Sequence, residues 1–278
     1  MKLRVVELLL VTTLPALFLA AGGVPSLGIS LATLVGGTLA AGAANAFNMV
    51  IESDSDRLMG RTANRPLAHR DISEGRALTF AFLIALMSLV IMFVFTNLLA
   101  TGLTISAITF YVFVYTIGLK RRTSQNIVWG GIAGCFPVII GWSAITGSLS
   151  APAIWFFLLI FFWTPPHFWA LAIKYKNDYA AAGIPMLPVV ATQKNVSIQM
   201  WFHTISMVVT SYVVLISADF PSAFYIVNTV LNLFFIGLMT RMRGEKDQID
   251  RAAIKIFHGS ITYLTMYSVL LIIGSFYV

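Results

Sequence analysis

Residues 77–97 read Ala-Leu-Thr-Phe-Ala-Phe-Leu-Ile-Ala-Leu-Met-Ser-Leu-Val-Ile-Met-Phe-Val-Phe-Thr-Asn, an unbroken run without a charged side chain. At about 1.5 Å of rise per residue, such a helix crosses a bilayer core of roughly 30 Å. The apolar positions do not alternate, and an isolated sheet edge finds no backbone partners in lipid. The run therefore predicts a transmembrane helix. Similar runs lie on either side, at about 5–24, 28–50, 101–118, 127–147, 151–173, 198–217, 222–240 and 255–277. The expected fold is all-α, a polytopic bundle of nine membrane helices forming a single domain over residues 1–278. Composition agrees. Of the 278 residues 58% are hydrophobic and 10% charged, with a mean hydropathy of +0.86, whereas soluble domains carry about 25% charged residues.

The connections divide into two classes. Those near 25–28, 97–101, 147–152 and 217–222 hold no Lys or Arg, while 51–76, 119–126, 174–197 and 241–254 are longer and charged. With Lys2, Arg4 and the adjoining Lys255, the charged connections account for all 18 Lys and Arg residues. The positive-inside rule then predicts a cytoplasmic N-terminus and an outer C-terminus. It also explains the formal net charge of +7 without invoking nucleic acid. Residues 1–21 begin like a signal peptide, but the run is long, contains Glu7 and precedes eight more spans, so it is expected to be retained. No Arg- and Ser-rich transit segment is visible, which points to a prokaryotic plasma membrane. The single cysteine, Cys135, rules out an internal disulfide and a Cys-based metal site.

The richest polar segment is Asn45-Ala-Phe-Asn48-Met-Val-Ile-Glu52-Ser-Asp54-Ser-Asp56-Arg57-Leu-Met-Gly-Arg61-Thr-Ala-Asn-Arg65-Pro66. If helix 2 continues through it, Asn48, Glu52 and Asp56 fall within about 80° of arc, with Asn45 near the same stripe and Asp54 pointing elsewhere. Oxygen ligands at i, i+4 and i+8 form a column suited to a hard divalent cation such as Mg²⁺, which takes one or two carboxylates plus substrate phosphate oxygens. Back along the helix at steps of four stand Ala44, Ala40, Gly36 and Ala32, small residues that allow close helix approach in lipid and predict a central place for helix 2. For Arg57, Arg70, Asp71 and Glu74 a solvated charged loop is explanation enough.

This segment resembles the first acidic signature of the UbiA-type intramembrane prenyltransferases, Asn-x-x-x-Asp-x-x-x-Asp. The longer string with Met59, Arg61-Thr62 and Arg65-Pro66 resembles the heme O synthase branch of that family. Glu52 is a departure, since the family generally has Asp there, and its extra methylene shifts a bound ion by about an ångström. A second match follows helix 6, in Phe161-Phe-Trp163-Thr-Pro165-Pro166-His167-Phe-Trp169 and Lys174-Tyr175-Lys176-Asn177-Asp178-Tyr179, ending in Gly183-Ile-Pro185-Met-Leu-Pro188. Lys174 and Asp178 are four apart and are expected to share a face, as an interfacial ion pair or as a phosphate contact beside a second metal ligand. Ala180, Ala181 and Ala182 stand where many UbiA-type enzymes carry a later Asp. A third block comprises Lys120-Arg121-Arg122-Thr123, Asn126, Gly130-Gly131, Ala133-Gly134, Pro137 and Gly141-Trp142. Its basic trio serves topology, substrate, or both.

The resemblance implies Mg²⁺ on Asn48, Glu52, Asp56 and Asp178, with Arg65 and Lys174 completing the catalytic set. It implies substrate contacts from Asn45, Arg61, Lys120, Arg121, His167, Tyr175 and Lys176. The implied substrates are farnesyl diphosphate and haem B, the product haem O for haem-copper oxidases. The implied setting is membrane lipid, with the active site facing the cytoplasm and haem-handling or oxidase-assembly membrane proteins as partners. His167 is open between a haem contact, a propionate contact and a cap for a broken helix; Trp163, Phe168 and Trp169 read as packing. Three rival readings remain at this stage. One is a UbiA-type enzyme acting on a quinone, chlorophyll or lipid precursor. Another is a transporter of a phosphorylated solute, disfavoured because ionisable groups gather at one edge rather than at mid-membrane. The third is a non-catalytic haem-handling protein.

Overall fold

The computed structural model describes residues 3–57, 64–69 and 71–278, the side chains of 3–10, 55 and 246 excepted. Helix α1 (Leu3–Ala21) leads by a glycine turn into α2 (Leu27–Ile51), followed by the single turn α3 (Ser53–Asp56). Next come α4 (Glu74–Phe95) and α5 (Leu98–Thr109), which passes directly into a π-helix, Phe110–Leu119. Helices α6 (Asn126–Gly130) and α7 (Ile132–Thr146) form one span, and α8 (Ala151–Lys174) the next. The short α9 (Lys176–Ala181) and α10 (Leu187–Val190) precede α11 (Gln193–Ser217), α12 (Ser222–Met239) and α13 (Lys246–Gly274). Among the described residues, eight helices are long and apolar enough to cross a membrane, and α1 adds a shorter described apolar part, Val11–Ala21.

Helix ends fall where the local chemistry stops them. Asn97 accepts the N–H of Ala100 at the start of α5, and its amide also donates to the Ser143 carbonyl at 2.6 Å, tying two loop ends together. Gly147 closes α7 in the left-handed conformation at φ 66°. Glu245 and Gln248 form a reciprocal capping box at the start of α13.

The small-residue stripe of α2 is buried, as expected. A Cβ on Gly36 would stand 2.7 Å from the Met92 sulfur, and Ser88 Oγ donates to the Gly36 carbonyl at 2.6 Å. Close backbone approach thus lets a buried hydroxyl find its acceptor in lipid. The rest of α2 faces outward through Leu27, Leu31 and Val35. The most enclosed spans are Asn126–Thr146 and α8, which pack with α1, α11 and α13, so the centre of the bundle is theirs rather than that of α2. Phe82, Leu86 and Phe93 of α4 and Ile226, Val230 and Leu233 of α12 remain exposed, as suits lipid-facing surfaces.

Candidate active site

The acidic column survives a break in the helix that carries it. Helix α2 ends at Ile51 rather than running on to Asp56; Glu52 adopts a turn conformation (φ −106°, ψ 9°) before α3. The α-type hydrogen bonds nevertheless continue, Glu52 N–H to Asn48 O at 3.0 Å and Asp56 N–H to Glu52 O at 2.9 Å. Register is therefore kept. Asn48, Glu52 and Asp56 are all buried, while Asp54 is exposed and pairs with Arg57.

Two cations reach the column from later in the chain. Lys120 Nζ lies 2.6 Å from Glu52 Oε2, and Arg65 Nη1 bonds Asp56 Oδ2. Near Arg65, Arg57 Nε donates to the Ala68 carbonyl at 3.0 Å, a bond between residues on either side of it in the chain. Lys120 arrives by way of the π-helix. Its N–H bonds the Tyr115 carbonyl, five residues back, and Asn126 holds its own carbonyl at 3.1 Å. Such π segments recur at functional sites, and this one has a direct consequence. Thr116 Oγ1 donates to the Tyr111 carbonyl at 2.9 Å and accepts from Asn48 Nδ2 at 3.2 Å. Asn48 Nδ2 also donates to Glu52 Oε2 at 2.8 Å. Both amide hydrogens are thereby engaged, and Oδ1 is the Asn48 atom left to face a cation.

Two carboxylates and an amide oxygen, all buried, form a hard-oxygen donor set that fits one Mg²⁺ together with substrate oxygens. Among the described residues no three of the His, Cys, Asp and Glu side chains gather as a metal cage, so Asp178 does not join Glu52 and Asp56 in this structure. Asp178 is half-buried in the first turn of α9, and Lys174 is exposed at the end of α8. Between them Tyr175 takes a turn conformation (φ −105°, ψ 28°), although its N–H still bonds Leu171 O at 3.2 Å and its carbonyl accepts from Tyr179 N–H at 3.1 Å. Lys174 and Asp178 form no ion pair; the ammonium instead lies 5.4 Å from the centre of the Tyr175 ring.

The remaining expected contacts scatter. Asn45 is buried and donates to Ala41 O at 2.8 Å, turned onto its own helix. Arg121 and Lys176 are exposed and Tyr175 is half-buried. Arg61 and Arg70 lie outside the described residues. His167 is stacked between Trp163 and Phe257, at 4.4 and 4.6 Å between ring centres. Its Nδ1 meets Ser260 Oγ at 2.7 Å, and that hydroxyl already donates to Phe257 O. The imidazole must then donate from Nδ1, which leaves the lone pair on Nε2. It is held within the helix packing rather than capping a broken helix, since α8 runs unbroken through Pro165 and Pro166.

Sequence reasoning missed Thr116 and Tyr111; the latter lies near enough to Glu52, Asp56 and Arg65 to feel their charges. Thr116 stands one turn before Lys120 as the one aliphatic hydroxyl between Phe110 and Leu119, and that was the available signal. Thr116→Val is expected to lower activity about tenfold by freeing the Asn48 amide, with most of the loss recovered at saturating Mg²⁺. Thr116→Ser should restore activity at ordinary Mg²⁺. Mg²⁺ titrations of turnover for the three proteins check this.

A helical membrane bundle with buried oxygen ligands and paired cations at one end has the form of an integral membrane enzyme. The sequence matches the UbiA prenyltransferase family over residues 9–261. The chain belongs to that family. It is 48% identical to a protoheme IX farnesyltransferase of Parafrankia sp. (strain EAN1pec), covering 96% of this chain and 85% of that one. A protoheme IX farnesyltransferase of Pseudarthrobacter chlorophenolicus is 47% identical, covering 99% and 87%. In fold the chain is similar to a UbiA homolog from Archaeoglobus fulgidus bound to DMAPP and Mg²⁺, with TM-score 0.72, 18% identity and 97% of each chain covered. A UbiA homolog from Aeropyrum pernix K1 gives TM-score 0.74 at 16% identity, covering 99% of this chain and 97% of that one.

Proposed function

We propose that the protein transfers a farnesyl group from farnesyl diphosphate to a vinyl group of protoheme IX (haem B), giving haem O for haem-copper oxidases and releasing diphosphate. The observation that carries this reading is the buried Asn48–Glu52–Asp56 column with Lys120 and Arg65, in a chain 48% identical to a protein named for that reaction. The active end is taken to face the cytoplasm of a plasma membrane, the N-terminus inside and the C-terminus outside, because all 18 basic residues fall on one side.

Heterolysis of an allylic diphosphate separates opposite charges, which is costly where the dielectric is low. The leaving group must meet positive charge where it departs. Asn48 Oδ1, Glu52 and Asp56 are the groups to hold Mg²⁺, with Asp178 proposed for a second ion. Bound there, divalent metal neutralises the diphosphate oxygens. Lys120 and Arg65 add an ammonium and a guanidinium held beside the column, positive charge close to where the leaving group's charge develops. Lys174, Arg61, Arg121, Lys176 and Tyr175 are proposed as outer contacts to the two anionic substrates, and Asn45 as a contact through its remaining oxygen.

As the C–O bond of the donor breaks, its electron pair leaves with diphosphate. The vinyl π electrons form the new carbon–carbon bond, and water adds to the resulting cation with loss of a proton, leaving a hydroxyethyl linkage. Apolar helix faces keep water from the allylic cation before the vinyl group reaches it. His167 is proposed to meet the haem through Nε2. Incubating the purified protein with haem B, farnesyl diphosphate and Mg²⁺, followed by mass analysis, should yield haem O and stoichiometric diphosphate. Diphosphate release without a haem adduct would reject the acceptor, and no release at all would reject the reaction.

A further inference from the structure

A cavity of about 520 Å³ opens between the first turns of α11 and the α12–α13 connection, apart from the acidic column. Lys194 and Arg243 line it together with Ile198, Trp201, Phe202 and Ile205. At 100° per residue Lys194, Ile198, Trp201, Phe202 and Ile205 share about 100° of arc. Gln199, which accepts from Gln125 in the connection after Lys120 at 2.8 Å, lies outside that arc. The cavity is therefore separate from the transferase site.

Its chemistry is amphiphilic, and ordered from one end to the other. Among the described residues neither Lys194 nor Arg243 is paired with a carboxylate. The neighbouring acids, Glu245 at the cap of α13 and Asp247 and Asp250 within its first turns, do not line the cavity. Below the cations the wall is apolar and open, Ile198, Phe202 and Ile205 being 55%, 62% and 56% exposed. From Lys194 to Ile205 the helix rises about 16 Å, close to half of a hydrocarbon core of roughly 30 Å. That is the depth of one leaflet.

We infer that this groove holds one phospholipid with a net negative headgroup, its phosphate against Lys194 and Arg243 and an acyl chain along Ile198, Phe202 and Ile205. A zwitterionic lipid presents the same phosphate with a compensating cation and gains less from two unpaired bases. Free phosphate gains nothing from the apolar wall. The bound lipid bridges the start of α11 to the α12–α13 connection, so it also stiffens that corner of the bundle.

The test is native mass spectrometry of the full-length protein from detergent doped with phosphatidylglycerol, with phosphatidylcholine in a parallel sample. The expected result is a one-to-one phosphatidylglycerol adduct that outlasts phosphatidylcholine. It should weaken at least tenfold in Lys194→Gln/Arg243→Gln, in keeping with the attraction of juxtamembrane bases to anionic lipid. The exposed Arg122→Gln, on the same side of the membrane, should leave it unchanged. Phe202→Ser keeps both charges and should also shorten retention, which covers the case in which the double variant does not fold. Equal retention by wild type and both groove variants would overturn the site. Displacement of the adduct by millimolar inorganic phosphate would overturn a lipid in favour of a simple anion.

Discussion

Replacing Asp56 by Ala is expected to lower haem O formation by at least about a hundredfold, with the protein still folded in detergent. The size follows from what the carboxylate does. It is one of the two carboxylates proposed to hold the cation, and losing one preorganised electrostatic element of an active site costs about 10²–10³ in rate. It also holds Arg65, whose side chain is 14% exposed against 6% for Asp56. Removing the carboxylate frees that guanidinium as well as weakening the cation site, so two sources of positive charge lose their position together. Asp56→Asn separates the effects, because the amide keeps an oxygen for Arg65 but binds Mg²⁺ poorly. Its turnover should be nearly as low as that of Asp56→Ala while thermal stability stays near wild type. Turnover by product mass analysis and unfolding in detergent, measured on the same preparations, decide the matter. Wild-type turnover in Asp56→Ala would remove the column from the mechanism.

The legible and illegible parts of this protein differ in the physics that made them. The spans could be read because lipid tolerates no unsatisfied backbone, so each crossing must be a long apolar run such as 77–97. The column could be read because i, i+4, i+8 spacing persists even across the turn at Glu52, where the hydrogen bonds from Asp56 and Glu52 remain. The partners of that column were harder. Lys120 is 68 residues from Glu52, and its approach depends on a π-helix in Phe-Tyr-Val-Phe-Val-Tyr-Thr-Ile-Gly-Leu, whose composition gives no sign of five-residue hydrogen bonding. In the second cluster the i, i+4 spacing of Lys174 and Asp178 leads to no ion pair, because the ammonium lies against the Tyr175 ring instead, a choice that spacing does not encode. His167 was left between three roles because Ser260, which fixes its ring, lies 93 residues away on α13.

Lys120→Met should lower kcat/KM for farnesyl diphosphate about a hundredfold, equivalent to about 2.7 kcal/mol of transition-state stabilisation. Methionine keeps most of the side-chain bulk, so the loss is one of charge. In the structure the ammonium is spent on Glu52 Oε2, at 2.6 Å, and two roles are consistent with that contact. Lys120 could serve only to neutralise a buried carboxylate, or it could wait there until Glu52 turns to a cation and the ammonium is released toward the leaving group. The double variant Lys120→Met/Glu52→Gln distinguishes them. If neutralisation of Glu52 were the whole role, the double variant would be no less active than Glu52→Gln alone. If the ammonium acts on diphosphate, the double variant should fall well below Glu52→Gln alone, since the leaving group then lacks its cation as well. The second outcome is expected, because an isolated buried ion pair contributes little stability after desolvation. Charge aimed at a developing pyrophosphate in a dry site is worth far more.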